Sequence, residues 1–329
     1  MVYVRCSPRL ALAMKNVLTV DLEDYYHATA FSAHSGGGDH AHLSRVESNT
    51  DRVLEVLASR NCSATFFTVG AVADRFPGLI QRIARAGHEL ACHSYAHHLV
   101  FTLTRGQFQE DTRRAKSSIE DAAGVPVLGY RAPSFSITRD TEWAFDVLTE
   151  LGFTYDSSIF PIQHLNFDLQ NAPRSPFVIT TQIGSILEFP MPTLQILGMR
   201  APLAGGAYLR LLPYGYTRWG IKYLNTSERF PVCVYIHPWE LDPGQPRMKG
   251  SLSARLRHYF GLRGLTKKLQ RLLSDFEFQP LRYYVSDLEN QLTQSTKPPL
   301  TRVRAQELYS REARFDRENG ERGVEVRQL

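Results

Sequence analysis

Apolar runs and polar breaks alternate along the first half of the chain in a way that predicts repeated strand–helix units. Asn16 to Val20 is a compact apolar run of the kind a strand covered on both faces requires. From Asn49, the residues Val53, Leu54, Val56 and Leu57 recur at helical spacing, with Asn49 or Thr50 as the predicted cap. Ala64 to Val69 is β-branched and aromatic, a second strand. Behind Pro77, Leu79, Ile80, Ile83 and Ala84 form a helical stripe ending at Gly87, and Leu90 to Cys92 is the next strand. A long charged helix follows over 104–123, closed by Gly124. Next come a short strand over 127–130, a helix over 139–151 stopped by Gly152, and a strand through Tyr155.

The rhythm breaks between 160 and 212, where many prolines and Gly205-Gly206 predict short strands and loops lining a groove. An aromatic helix over 213–225, a buried strand over 231–236, a helix over 251–274 and a last strand over 276–285 complete the pattern. Residues 1–14 read as an over-extended start, 15–290 as one α/β unit, and 291–329 as a mixed-charge, disordered tail. Strand–helix alternation predicts a parallel sheet or barrel whose reactive groups gather at the C-terminal ends of the strands.

Composition narrows this picture. With 43% hydrophobic and 22% charged residues the chain can bury a large core. The net charge of +5 is modest, and the basic residues appear interleaved with acids. That argues against a nucleic-acid partner and leaves an anionic polymer or a membrane surface open. No apolar run approaches the ~20 residues needed to span a bilayer, so no stable membrane insertion is expected. Cys6, Cys62, Cys92 and Cys233 lack metal-type spacing, and the last three sit in apolar runs, which suits a reducing compartment. Arg5 and Arg9 precede a Leu10–Met14 run shorter than the ~7–15 residues of a signal-peptide core, so a cytoplasmic location is expected. The sequence is silent on oligomeric state.

Candidate chemistry lies where strands end. His93 and His97, four residues apart after Leu90–Cys92, can reach one point and form half of a metal site that a carboxylate would complete. The first strand empties into Asp21-Leu22-Glu23-Asp24, where period two places Asp21 and Glu23 on one face and Asp24 on the other. Arg131-Ala132-Pro133, Asp156-Ser157-Ser158 and His237-Pro238-Trp239-Glu240 close three further strands. Each also has a structural reading: a turn or N-cap for Asp156, a surface turn for Arg131, a satisfied core histidine for His237. Tyr95, Tyr130 and Trp239 are sugar-stacking candidates or core aromatics. His27 and His98 read as structural or rim residues, and His34, His40 and His42 belong to a glycine-rich mobile rim.

In this order the five clusters resemble the polysaccharide deacetylases of the NodB-homology type (carbohydrate esterase family 4), over roughly residues 16–285. They are more closely similar to the branch found in bacterial exopolysaccharide loci associated with exosortase and PEP-CTERM systems. The resemblance implies a distorted (β/α) barrel of seven strands and hydrolysis of N-acetyl groups on a polysaccharide or oligosaccharide. It implies a divalent metal, zinc, held by His93, His97 and a carboxylate, either Glu23 or Asp24. It implies Asp21 as general base paired with Arg131, and His237 as general acid paired with Asp156. Tyr130, Pro133 and Trp239 become substrate-binding candidates. Most relatives have adjacent aspartates where this chain has Asp-Leu-Glu-Asp, which keeps two alternatives in view. These are hydrolysis of small cyclic amides on the same scaffold and a non-catalytic carbohydrate-binding component.

Overall fold

The computed structural model describes residues 14–28, 44–164, 167–169, 171–294 and 300–309. The first half alternates as its sequence predicts: β1 (Asn16–Leu22), α1 (Val46–Ala58), β2 (Thr65–Thr68), α2 (Gly70–Arg75), α3 (Pro77–Arg85), β3 (Glu89–Cys92), α4 (Arg105–Ala123), β4 (Gly129–Tyr130), α5 (Ala144–Glu150) and β5 (Tyr155–Asp156). The irregular middle holds the ribbons β6 (Gln163–His164) with β7 (Phe167–Asp168), β8 (Phe177–Thr180) with β9 (Ser185–Glu188), and β10 (Thr193–Ile196) with β11 (Met199–Pro202). Then follow α6 (Gly206–Leu211), α7 (Tyr214–Tyr223), β12 (Cys233–Ile236), α8 (Leu252–Tyr259), α9 (Leu262–Asp275), β13 (Phe278–Gln279), α10 (Leu281–Gln294) and β14 (Arg302–Arg304).

Seven strands run parallel in the order β12-β1-β2-β3-β4-β5-β9. Among the described residues no ladder joins β12 back to β9, so the barrel is distorted and open, as expected of the (β/α)7 fold. β8 pairs antiparallel with β9, and β14 adds parallel to β8. Period two divides the core. Leu18, Val20, Leu22, Phe66, Leu90, Cys92 and Tyr130 face the helical layer in one cluster. Val17, Phe67, Ala91, Tyr155, Cys233 and Tyr235 fill the barrel interior in another. Gly129 belongs to the interior because a Cβ there would come within 2.2 Å of the Tyr155 ring.

Several boundaries differ from expectation. α1 starts at Val46, and Asn49 and Thr50 are buried within it; Asp24, a distant residue, accepts from the Ser44 hydroxyl and the Arg45 N–H and so serves the helix start. The helix expected over 251–274 breaks at Gly261, whose φ is +80° and whose Cβ would come within 2.9 Å of the Arg210 carbonyl oxygen. The expected last strand shrinks to two residues before α10, because Leu281, Val285 and Leu288 bury themselves at helical spacing. The expected tail is partly folded: β14 and the turn after it bury Val303, Leu308 and Tyr309, with the Tyr309 hydroxyl donating to the Ile137 carbonyl. The readings for Cys6 and for His34, His40 and His42 lie outside the described residues, as do 310–329.

Candidate active site

At the end of β1, Asp21 points into the barrel and accepts a 2.6 Å bond from Arg131 Nη1. Arg131 is fully buried with its guanidinium 4.1 Å above the Phe67 ring. A buried guanidinium is costly unless its five N–H groups are satisfied. Here Nη1 also donates to Thr19 Oγ1, Nε to the Ser157 carbonyl, and Nη2 to Ser157 Oγ and Cys233 Sγ. Burial alone would lower the Arg131 pKa, but the Asp21 charge, Cys233 and the hydrogen bonds to both together outweigh it and raise the pKa. Asp21 Oδ1 is thereby fixed, while Oδ2 faces His237 Nε2 at 3.8 Å.

Glu23, His93 and His97 form one cluster, their candidate ligand atoms all within 4.8 Å of one another. The turn after β3 places Ser94 and His97 in the left-handed region, at φ +64° and +58°, a strained backbone that brings both imidazoles to the Glu23 carboxylate. His93 Nδ1 lies 2.7 Å from the Arg131 carbonyl oxygen, which fixes the proton on Nδ1 and turns the Nε2 lone pair towards the cluster. Burial, reinforced by His97, lowers the His93 pKa to about 4, so the ring is neutral and able to ligate near pH 7. The cation fits these residues. Glu23 Oε2 lies 2.7 Å from His97 Nε2, yet this buried oxygen has no hydrogen bond of acceptable geometry. Lone pairs converging on a common point give that arrangement. Burial opposes ionisation of Glu23, but His97 and His237 outweigh it and hold its carboxyl far below the ordinary range.

Asp24, the alternative ligand, faces away. Its carboxylate accepts from Tyr25 N, Ser44 Oγ and Arg45 N, and its own N–H donates to His27 Nδ1. His27 stacks on His97 with ring centroids 5.7 Å apart. Period two separates Glu23 from Asp24, as the alternation of β1 predicts.

His237 follows β12, and its partner is Glu240, not Asp156. Nδ1 lies 3.1 Å from Glu240 Oε2, and the backbone N–H of His237 donates to the same oxygen. Arg210 Nε holds the other Glu240 oxygen at 2.6 Å. Burial would lower the His237 pKa; Glu240 and Glu23 reverse this and raise it to about 9. Asp156 instead accepts from Ser158 Oγ and N and stands opposite Glu188 in the β5–β9 ladder. Its strand position gives it another carboxyl as neighbour, and burial with Asp156 pushes the Glu188 pKa far up. Burial and the closeness of two carboxyls thus favour a proton held between Asp156 and Glu188.

The three substrate candidates divide differently. Tyr130 is fully buried on the helical side of the sheet, edge-on to Phe108 and Phe153, because it faces opposite to Arg131. Pro133 is buried at the start of the turn 133–135, and Phe135 beyond it reaches the cleft, meeting Phe160 and Tyr235. Trp239 lines the cleft but is only 4% exposed, stacked between His237 and His258. Its indole N–H donates to Glu23 Oε1 at 3.2 Å. The cleft, about 360 Å³, has the acid–imidazole cluster at its base and an apolar wall that includes Leu99, Phe135, Phe160 and Ile162. Glu240 was within reach of the sequence as the third residue after His237; nothing in the sequence pointed to Arg210 or Glu188.

Residues 38–155 match the family described as Polysaccharide deacetylase, and 157–286 match a family described as a Domain of unknown function (DUF3473). A bifunctional xylanase/deacetylase of Pseudobutyrivibrio xylanivorans is 29% identical over 136 residues, 40% of this chain and 23% of the relative. A peptidoglycan-N-acetylglucosamine deacetylase of Bacillus cereus is 28% identical over 96 residues, 29% of this chain and 35% of that one. A chitooligosaccharide deacetylase of Sinorhizobium fredii is 37% identical over 101 residues, covering 30% and 44%. The chain thus spans less than half the length of each of these relatives. A solved structure from Mycobacterium smegmatis, described only as a candidate polysaccharide deacetylase, shares the fold: TM-score 0.53 and 21% identity, over 88% of this chain and 95% of that one. His93, His97 and Arg131 lie in the first matched segment, whereas His237, Trp239 and Glu240 lie in the second. Residues 38–155 thus resemble a polysaccharide deacetylase domain, and the fold agrees with that likeness.

Proposed function

We propose that the cleft hydrolyses N-acetyl amides of a bacterial exopolysaccharide or its precursor. The observation that carries this is the convergence of Glu23, His93 and His97 at the rim where Asp21 and His237 also meet. Those three residues would hold a divalent cation, zinc by the family resemblance. When bound it polarises the acetyl carbonyl and makes water acidic enough to attack near pH 7.

The protein's own groups supply the rest. Asp21 Oδ2, left open while Arg131 fixes Oδ1, takes the proton of the attacking water. As the C–N bond breaks, His237 Nε2 gives its proton to the amine nitrogen, and acetate and a free amino sugar leave. Glu240, anchored by Arg210, favours the imidazolium that this needs. The apolar wall suits the acetyl methyl and limits water around the reacting carbonyl. We also propose a cytoplasmic setting, supported by the free thiols of Cys62, Cys92 and Cys233. The exosortase-associated branch is kept as the finer assignment of this reading.

The test is metal content by elemental analysis together with acetate release from an N-acetylated oligosaccharide. Wild type binds metal and releases acetate, His93→Ala loses both, and Asp21→Asn keeps the metal but loses activity. Ring opening of a cyclic imide without acetate release, or carbohydrate binding that survives in the His93→Ala protein with no turnover by wild type, would reject the proposal.

A further inference from the structure

Between Pro243 and Ser274 the chain has eight lysines and arginines and no aspartate or glutamate. This one segment exceeds the surplus of five positive charges on the whole chain, so basic residues are not interleaved with acids here as they are elsewhere. Lys268 is spent on carbonyls at the C-terminal end of α6, those of Arg210 and the capping Leu212, and Arg271 lies over the Tyr214 ring. Lys249, Arg255, Arg257, Arg263 and Lys267 are exposed.

Within the same segment α8 is inverted relative to an ordinary surface helix. Its buried residue is His258, while Leu252 is 72% exposed, Leu256 57%, and Phe260 just beyond it 59%. At 100° per residue Leu252 and Leu256 share one crest of the helix, opposite His258, with Arg255 on one flank and Arg257 on the other. Scattered exposed leucines need no explanation, but three large apolar side chains spaced i, i+4, i+8 and framed by unopposed cations do. Arg257 and His258 also line the cleft, so α8 forms part of its wall, with the apolar crest on the outer side of the helix.

We propose that α8 is an interfacial helix that docks the protein on an anionic phospholipid bilayer, Leu252, Leu256 and Phe260 entering the headgroup boundary while the flanking cations meet lipid phosphates. Charge complementarity selects this occupant. A hydrated glycan matches exposed leucines less well than a headgroup boundary does, and a second copy would bring like charges together. Among the described residues no helix is long and apolar enough to cross a membrane, and the docking proposed for α8 is of the peripheral kind. Docking through α8, whose other side walls the cleft, would hold the site close to the bilayer surface, where a lipid-linked saccharide would present its sugars.

Co-sedimentation of the full chain with vesicles tests this. Wild type should bind phosphatidylcholine–phosphatidylglycerol vesicles and scarcely bind phosphatidylcholine alone. The triple variant Lys249→Gln, Arg255→Gln, Arg263→Gln should bind anionic vesicles on the order of a hundredfold more weakly. Leu252→Ser with Leu256→Ser should lose at least about tenfold. All substituted side chains are exposed, and an unchanged melting temperature confirms that the variants are folded. Equal binding by all three proteins overturns the proposal. So does capture of an anionic polysaccharide but not of vesicles, or sedimentation showing that the leucine variant merely dissociates a dimer.

Discussion

Trp239 and Glu23, 216 positions apart in sequence, meet through a 3.2 Å bond from the indole N–H to the carboxylate oxygen that faces away from His97. The bond crosses from the end of β12 to the end of β1, and the indole is clamped between His237 and His258. It orients the one anionic member of the cation cluster. Trp239→Phe keeps an aromatic ring between His237 and His258 while removing the donor together with part of the indole. Metal affinity, measured by competition with a chromophoric chelator, should fall about 10–100-fold, the usual effect of losing an outer hydrogen bond on a ligand. Unchanged affinity would show that the stack alone positions Glu23.

Glu23 and Asp24 are adjacent but should separate cleanly in experiment. Glu23→Gln weakens one ligand and removes the anionic member of the cluster, so metal content should drop while the fold persists. Asp24→Ala removes the acceptor for three N–H and O–H groups at the starts of two helical segments. It should cost about 2–4 kcal/mol in a urea melt, from cap loss and unsatisfied donors. Metal should still bind stoichiometrically at low temperature. Loss of metal in both variants with equal stability would contradict the geometry.

Much of this was legible in the sequence because parallel strands buried on both faces leave long apolar runs, and polar residues at their ends have few structural reasons to be there. Asp21, Glu23, His93, His97, Arg131 and His237 all follow from that logic and are brought to one rim. Partnerships were less legible. Whether Asp156 faces His237 or Glu188 depends on which strand lies beside β5, and the answer is β9, from the irregular middle. Tyr130 and Arg131 are neighbours on opposite faces, and only the register of a two-residue strand decides which one enters the barrel. The folding of Val303 and Tyr309 rests on a three-residue strand too short to carry a periodic signal.

The Asp156–Glu188 pair makes a prediction that depends on its proton. Burial and the Asp156 charge favour the neutral form of Glu188, so Glu188→Gln is expected to replace an uncharged side chain by another of nearly the same shape. Stability in denaturant should change by less than about 1 kcal/mol, whereas Glu188→Ala opens a buried gap and deprives the Ile159 N–H of its acceptor, costing about 2–4 kcal/mol. A large loss for Glu188→Gln would mean that the carboxyl is ionised.

His88 sets a limit on acid stability away from the cleft. Only 6% exposed, it accepts the Ala64 N–H on Nδ1 and lies against Phe66. Burial, helped by the Arg282 charge, lowers its pKa from 6.5 to about 4. Between those values the unfolded chain binds a proton that the folded one refuses, so the stabilisation is complete above pH 6.5 and is lost as pH falls towards 4. At pH 5, about 1.5 units below the unfolded value, the loss from this residue alone is at most about 2 kcal/mol. His258, lowered by burial to about 3, adds a loss of the same sign. Urea melts at pH 7.5 and pH 5 measure the total. In His88→Asn, whose side-chain carbonyl can still accept from Ala64, the difference between the two pH values should shrink by about 2 kcal/mol. If the two proteins lose the same stability on acidification, His88 is protonated in the folded state and the Ala64 bond does not hold it neutral.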